Sequence, residues 1–353
     1  MNTLHRLQLR FSFGFVMLIL TLALAPAASA HVPIGAGGNE SLATARPISD
    51  PLKSWAIYGD LLGGGQSQYY TFQIAQGQAI HLSLLTTTDP ADAAFAPQAV
   101  LLGPGLPSQG QLPGGVQAPA GAGWVVINSA RPAHATYEAF GPGSYVQLAE
   151  LTLPAPASGA YYVAVQAAER GGHYGLALGD NESFTPAEWL SNPFSMFTVF
   201  AWERQNLALA LLPAALVLVV GLGLLARRAS APAKRQRLDL AGWLAALAGL
   251  LFLGSGATVL SQMLLAVSHA PVDGELIITL IFAGLPIALG ALALWLALGQ
   301  GQRRARTRVL LMLLAGGGLL FWAGYWLGPA LALAAALAPG RKAQPGADTA
   351  GTR

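Results

Sequence analysis

The chain has 353 residues, 54% of them hydrophobic and only 10% charged, with a mean hydropathy of +0.49. Soluble domains carry roughly 25% charged residues, so a wholly soluble protein is excluded. There is no cysteine, which excludes disulfides, thiolate metal sites and cysteine nucleophiles.

The net charge of +3 hides an asymmetry. Between His31 and Trp202 four bases face eleven acids, a balance of −7. Most other bases sit in two short loops between apolar runs. The pI of 9.3 is therefore a topology signal and not a nucleic-acid footprint.

Residues 1–30 read as an export signal. His5, Arg6 and Arg10 form a basic start, Phe11 to Ala25 is apolar, and Ala28-Ser29-Ala30 is a small-residue cleavage site. An uncleaved anchor helix is the alternative. Either way, residue 31 onward is expected outside the cytoplasm.

Residues 31–183 read as all-β, with about eight short strands punctuated by Gly and Pro. The strands are expected at Trp55–Leu61, Tyr69–Ile74, Ala79–Thr86, Gln98–Leu102, Trp124–Asn128, Tyr145–Leu153, Ala160–Ala167 and His173–Leu178. Period-two patterning puts Ile80, Leu82 and Leu84 on one face, and Tyr174, Leu176 and Leu178 likewise. A sandwich or jelly roll is expected. Pro104–Gly123 reads as a long surface loop.

Two patches carry a family resemblance. One is Gly59-Asp60, then Gln68-Tyr69-Tyr70-Thr71-Phe72, then Gly77. The other is Ser158-Gly159-Ala160-Tyr161-Tyr162-Val163-Ala164-Val165, then Gly172-His173-Tyr174-Gly175-Leu176. Together they resemble the bacterial pre-peptidase C-terminal domain, a small secreted β-sandwich. The resemblance implies a fold and an accessory binding or stabilising role, with no catalytic residues. Gln68 stands where that family usually has Asp, which weakens any carried-over calcium role.

Residues 184–206 mix Phe, Trp and Met with few charges. Such aromatics collect at the membrane–water interface. An interfacial, part-helical segment is expected, with a docking element for the β domain as the alternative.

Residues 207–337 are expected to form a four-span membrane domain, with spans at 207–226, 240–267, 276–298 and 309–337. Arg227, Arg228, Lys234, Arg235 and Arg237 fill the loop after the first span. Arg303, Arg304, Arg306 and Arg308 fill the loop before the fourth, and the intervening loop has neither Lys nor Arg. The positive-inside rule places both basic loops in the cytoplasm. The tail, 338–353, then falls outside and reads as disordered, and its Arg341-Lys342 pair is a mild violation. Gly249, Gly254 and Gly256, with Gly324-x-x-x-Gly328, suit close helix packing. The expected location is the cytoplasmic (inner) membrane, multi-pass.

The spans hold no charge, which argues against an ion-coupled transporter. Nucleophile-elbow, zinc-protease, Walker and dinucleotide motifs are all missing. The sharpest chemical candidate is His31. Cleavage after Ala30 would leave its amine and imidazole free to chelate copper, with His81, His134 and His173 as possible partners. The alternative is scattered surface histidines. His269, Asp273 and Glu275 form a weaker cluster in the second loop. The expected function is a non-enzymatic, membrane-anchored binding or accessory role outside the cytoplasm. It would need no cofactor, no nucleotide and no nucleic acid. Its partners would be the bilayer and a membrane or extracytoplasmic protein. Copper handling and a subunit of a transport or signalling assembly are the alternatives.

Overall fold

The computed structural model describes residues 31–230, 238–299 and 305–339. The export signal, its cleavage site and residues 340–353 of the tail lie outside the described residues.

Eleven strands form two sheets. They are β1 (Val32–Gly35), β2 (Arg46–Pro47), β3 (Trp55–Leu61), β4 (Ser67–Ile74), β5 (Ala79–Thr87), β6 (Gln98–Gly103), β7 (Gly123–Ile127), β8 (Thr136–Glu138), β9 (Gly143–Pro154), β10 (Gly159–Gln166) and β11 (Gly172–Leu178). The eight expected strands are all present within two residues of their expected ends. The three added ones, β1, β2 and β8, are too short to carry a periodic signal.

One sheet runs β1-β3-β11-β5-β9-β8 and the other β2-β4-β10-β6-β7. The β1–β3 and β2–β4 pairs are parallel, which departs from an antiparallel jelly roll. The sheets share one core: Ile57, Leu82, Leu84 and Leu176 from the first meet Phe72, Leu101, Tyr161 and Val163 from the second. The alternation read from β5 holds, since Ile80, Leu82 and Leu84 are buried while His81 and Ser83 are only half so.

The Gly/Pro-rich loop is not a free surface excursion. It folds back so that Val116 joins Tyr69, Val100, Leu102 and Ala164 in a second small core on the outer face of the second sheet. Gln68 also has a structural task. Its Oε1 accepts the Tyr174 hydroxyl, which in turn meets the Tyr70 hydroxyl at 2.6 Å. A buried polar chain is thereby satisfied.

Helix α1 (Pro186–Trp202) follows. Thr185 caps it with Glu188 in a reciprocal pair. Lys53 Nζ reaches Glu188 Oε2 at 2.5 Å. At the other end, Trp202 Nε1 donates to the carbonyls of Gly59 (3.0 Å) and Tyr174 (3.1 Å). This helix is therefore pinned at both ends to the β domain.

Three helices are long and apolar enough to cross a membrane: α2 (Leu207–Ser230), α3 (Leu240–Val267) and α4 (Leu276–Leu298). The chain is a multi-pass membrane protein by this measure. α3 and α4 run antiparallel in close contact. A Cβ on Gly249 would lie 2.9 Å from the Gly290 carbonyl oxygen, and one on Gly290 would lie 2.7 Å from that of Gly249.

The expected fourth span is corrected. Residues 309–337 do not form one helix but α5 (Ala305–Leu320) and α6 (Leu327–Leu337), separated by a six-residue turn. At 1.5 Å per residue these are about 24 Å and 16 Å long, short of a core of about 30 Å. Trp322 (φ 53°), Gly324 (φ 64°) and Tyr325 (φ 55°) adopt left-handed backbone in the turn, a conformation costly for the two aromatic residues. The turn packs against the middle of α3: the Gly324 amide donates to Ser255 Oγ at 2.9 Å, and Gly318, Gly324 and Gly328 close around the Phe252 ring.

Both arms of this hairpin point the same way. Arg308, near the start of α5, donates to the carbonyl of Ala338, just past the end of α6, at 3.3 Å. Leu311 and Leu314 pack in one cluster with Ala335, Ala336, Ala245 and Ala297. The hairpin therefore enters and leaves by the end of the bundle that carries Arg227 and Arg228. The last described residues, Ala338 and Pro339, therefore sit at that end of the bundle. A hydropathy window sees one apolar run and not the turn within it.

Candidate ligand chamber

The short hairpin leaves space in the bundle. Its turn meets α3 at Ser255, twelve residues before Val267. About 18 Å of α3 thus stands above the turn on the β-domain side. The turn between β8 and β9 drops into this gap. The Tyr137 hydroxyl meets Thr279 Oγ1 at 2.6 Å, and Thr279 Oγ1 donates to the Ala139 carbonyl at 2.6 Å. Phe140 packs edge-on against Phe282, whose ring meets Phe321 of the hairpin turn.

What remains is a cavity of about 230 Å³. Its floor is Phe321, Trp322 and Tyr325. Ser255, Thr258, Val259 and Gln262 of α3 form one wall with Phe282 and Pro286 of α4. Asn192, Pro193, Met196 and Phe200 of α1 form the other. Tyr58, Glu138, Phe140 and Tyr145 close the roof. Aromatic packing fixes the α1 wall to the floor: Trp189 lies 4.4 Å from Trp322, centroid to centroid, and Phe197 stacks on Tyr325 at 5.8 Å. The Trp322 indole also donates to the Trp189 carbonyl at 2.9 Å. Concave, mostly apolar sites with a few placed polar groups are the usual form of a small-ligand pocket.

Most polar groups in the wall are already engaged. Ser255 and Thr258 donate to carbonyls of their own helix, at 2.9 and 3.1 Å. Gln262 pairs with Gln205 at 3.0 Å, and Gln205 donates to Glu203 at 2.6 Å. Glu138 is held by backbone. Its Oε1 accepts the Phe140 amide at 3.1 Å, and the Ala139 amide also bonds the carboxyl.

Burial pushes the Glu138 carboxyl up to about 7, with the charges of Glu275 and Glu182 adding to the shift. Burial likewise raises Glu203 to about 7, opposed by hydrogen bonds from Tyr145 and Gln205. Both carboxyls bind protons more tightly folded than unfolded, so stability falls as pH rises from about 4.5 through about 7. The loss is on the order of 3 kcal/mol for each. Thermal unfolding in an uncharged detergent should therefore show a higher midpoint at about pH 5 than at about pH 8. Glu138→Gln with Glu203→Gln should flatten that slope. Asp92 behaves oppositely: burial works against its charge, but His173 and Thr87 hydrogen bonds outweigh this and hold it low. Its contribution is lost only below this window.

The histidines are distributed over the β domain. His31 Nδ1 meets Ser54 Oγ at 2.5 Å, and burial, then the His81 charge, lower its pKa. His81 Nδ1 meets Thr152 Oγ1 at 2.8 Å. His134 is exposed. His173 lies 3.1 Å from buried Asp92 and accepts from Arg204 at 3.0 Å. Among the described residues no group of three or more His, Asp or Glu is placed to hold a metal. A copper brace needs only one histidine besides His31, and the His81 imidazole is the one whose charge acts on it. His269, Asp273 and Glu275 are each exposed and form no such group either. Glu138 was not singled out by sequence, because one carboxylate in an acidic domain carries no motif.

No protein family and no curated protein matches this sequence. Among solved structures, the chain is similar to the pre-peptidase C-terminal domain of a collagenase from Bacillus anthracis. The identity is 20%, over 37% of this chain and 91% of that one, with a TM-score of 0.22.

Proposed function

We propose that this protein is a membrane-anchored binding protein, with its β domain outside the cytoplasm, that holds an amphipathic small molecule in the chamber between that domain and the helices. The observation that carries the reading is the space left by the truncated α5–α6 hairpin. A fourth full-length helix would fill it. Instead it is an aromatic-lined cavity of about 230 Å³ roofed by Glu138 and two tyrosines. Non-helical backbone at membrane depth is tolerated where it is covered by protein or lines a cavity, and the strained turn at Trp322–Tyr325 is of that kind.

The orientation is supported by charge. Arg227 and Arg228 end α2, Arg306 and Arg308 open α5, and Ala338 closes α6, all at the end of the bundle remote from the β domain. The positive-inside rule favours that end in the cytoplasm.

Mild-detergent purification followed by solvent extraction and mass spectrometry tests this. The wild-type chain is expected to carry a near-stoichiometric amphipath. Val259→Trp, which places an indole in the chamber, should lower that load at least about tenfold. Equal loads in both proteins, or none in the wild type, would refute the reading.

A further inference from the structure

The chamber has a sign. Among the described residues no Arg or Lys lines its walls, and its roof presents the Glu138 carboxyl. The acids nearest in effect, Glu275 and Glu182, add negative potential there. The one basic side chain on the wall, His31, is driven toward its neutral form by burial. The Glu138 charge also reaches the Tyr58 and Tyr145 hydroxyls. Both of these are donors and neither is a cation.

Glu138 carries the carboxylate on the roof, and its partners are the backbone amides of Phe140 and Ala139, which leave acceptor capacity on a carboxylate with about four lone-pair sites. An occupant with a carboxylate or phosphate head would bring like charge against it. An ammonium head would find an acceptor and an opposite charge in the same group. Apolar atoms below would then lie among Phe282, Pro286, Phe321 and Val259.

We infer that the chamber selects amphipaths with an amine head group, received by the Glu138 carboxylate. This rests on the reading of the cavity as a binding site and adds the class of ligand.

Alkyl probes of equal chain length, brominated at the tail and ending in an amine, an alcohol or a carboxylate, test it. Quenching of tryptophan fluorescence in full-length protein, in an uncharged detergent at about pH 8, reads their binding. The amine is expected to bind at least about tenfold more tightly than the carboxylate. Glu138→Gln should abolish that preference, while Glu138→Asp should keep part of it.

If Glu138→Gln folds poorly, the wild-type pH profile decides. The amine preference should weaken toward about pH 5 as the carboxyl takes up a proton. Tyr58 on β3, Tyr145 on β9, Tyr325 in the hairpin turn, His31 beside β1, Glu203 after α1, Glu275 before α4 and Glu182 before α1 are the other titratable groups facing this region among the described residues. Glu203→Gln separates the other strongly raised carboxyl. A preference for the carboxylate, or an amine preference untouched by both Glu138→Gln and pH, would overturn the proposal. Equal binding of all probes defeats the head-group assignment alone. Failure of every probe, with Val259→Trp also without effect, defeats the chamber reading beneath it.

Discussion

A label placed near residue 352 is expected to report the same side of the membrane as one placed near residue 233, and the opposite side from one at residue 273. The chain has no cysteine, so Thr352→Cys, Ala233→Cys and Asp273→Cys each give a single reactive thiol without a background to remove. Four full spans would put residues 233 and 352 on opposite sides. With the α5–α6 hairpin they are expected together, because Arg308 and the Ala338 carbonyl meet at one end of the bundle. The outcome is all-or-none: an impermeant thiol reagent applied to intact cells should modify only the residue 273 variant if the β domain is outside. Labelling of residues 273 and 352 together, with 233 protected, would restore the fourth span and remove the chamber with it.

That same topology explains an oddity of charge. Arg341-Lys342 violated the positive-inside rule only under a four-span count. A chain that turns back at Trp322–Tyr325 delivers its last described residues to the side already rich in arginine.

The second large effect is expected at Gly249. Introducing Leu there should collapse the α3–α4 pair, with a loss of at least about 3 kcal/mol. The reason is backbone contact. The first added carbon already meets the Gly290 carbonyl oxygen at 2.9 Å and the Leu294 amide nitrogen at 3.1 Å, and backbone cannot rotate aside as a side chain does. Gly316→Leu and Gly223→Leu provide the comparison, since nothing lies within 4 Å of a Cβ at either. Both should be neutral or slightly stabilising, because glycine weakens a helix interior by roughly 0.5–1 kcal/mol relative to alanine. Thermal unfolding of the three variants in detergent checks the contrast. Similar midpoints for all three would mean that α3 and α4 do not pack through these glycines.

Much of the fold was legible from pattern alone. β5 alternates Ile80, Leu82 and Leu84 with His81 and Ser83 because a half-buried strand must, and the three apolar residues are buried. The α2, α3 and α4 spans were readable because a bilayer demands about twenty apolar residues in a row. Gly249 and Gly256 stood out as packing positions, and both meet α4.

The chamber was not legible, and the cause is physical. Hydropathy measures transfer from water to an apolar medium and is blind to a turn. The run around Trp322–Tyr325 is as apolar as a helix interior, yet its backbone reverses there. The reversal depends on contacts with Phe252 and Ser255 of α3, about seventy residues earlier. Glu138 was equally silent, since its environment is set by Phe140, by the helices and by the β8–β9 turn seated between them. The amino-acid sequence determined the sheet-built head, the three crossing helices and the basic end of the bundle, because each follows from local period, length or charge. The tertiary structure alone decided that the last apolar run is a hairpin and that a lone carboxyl roofs the space above it, because both depend on contacts between residues far apart in the chain.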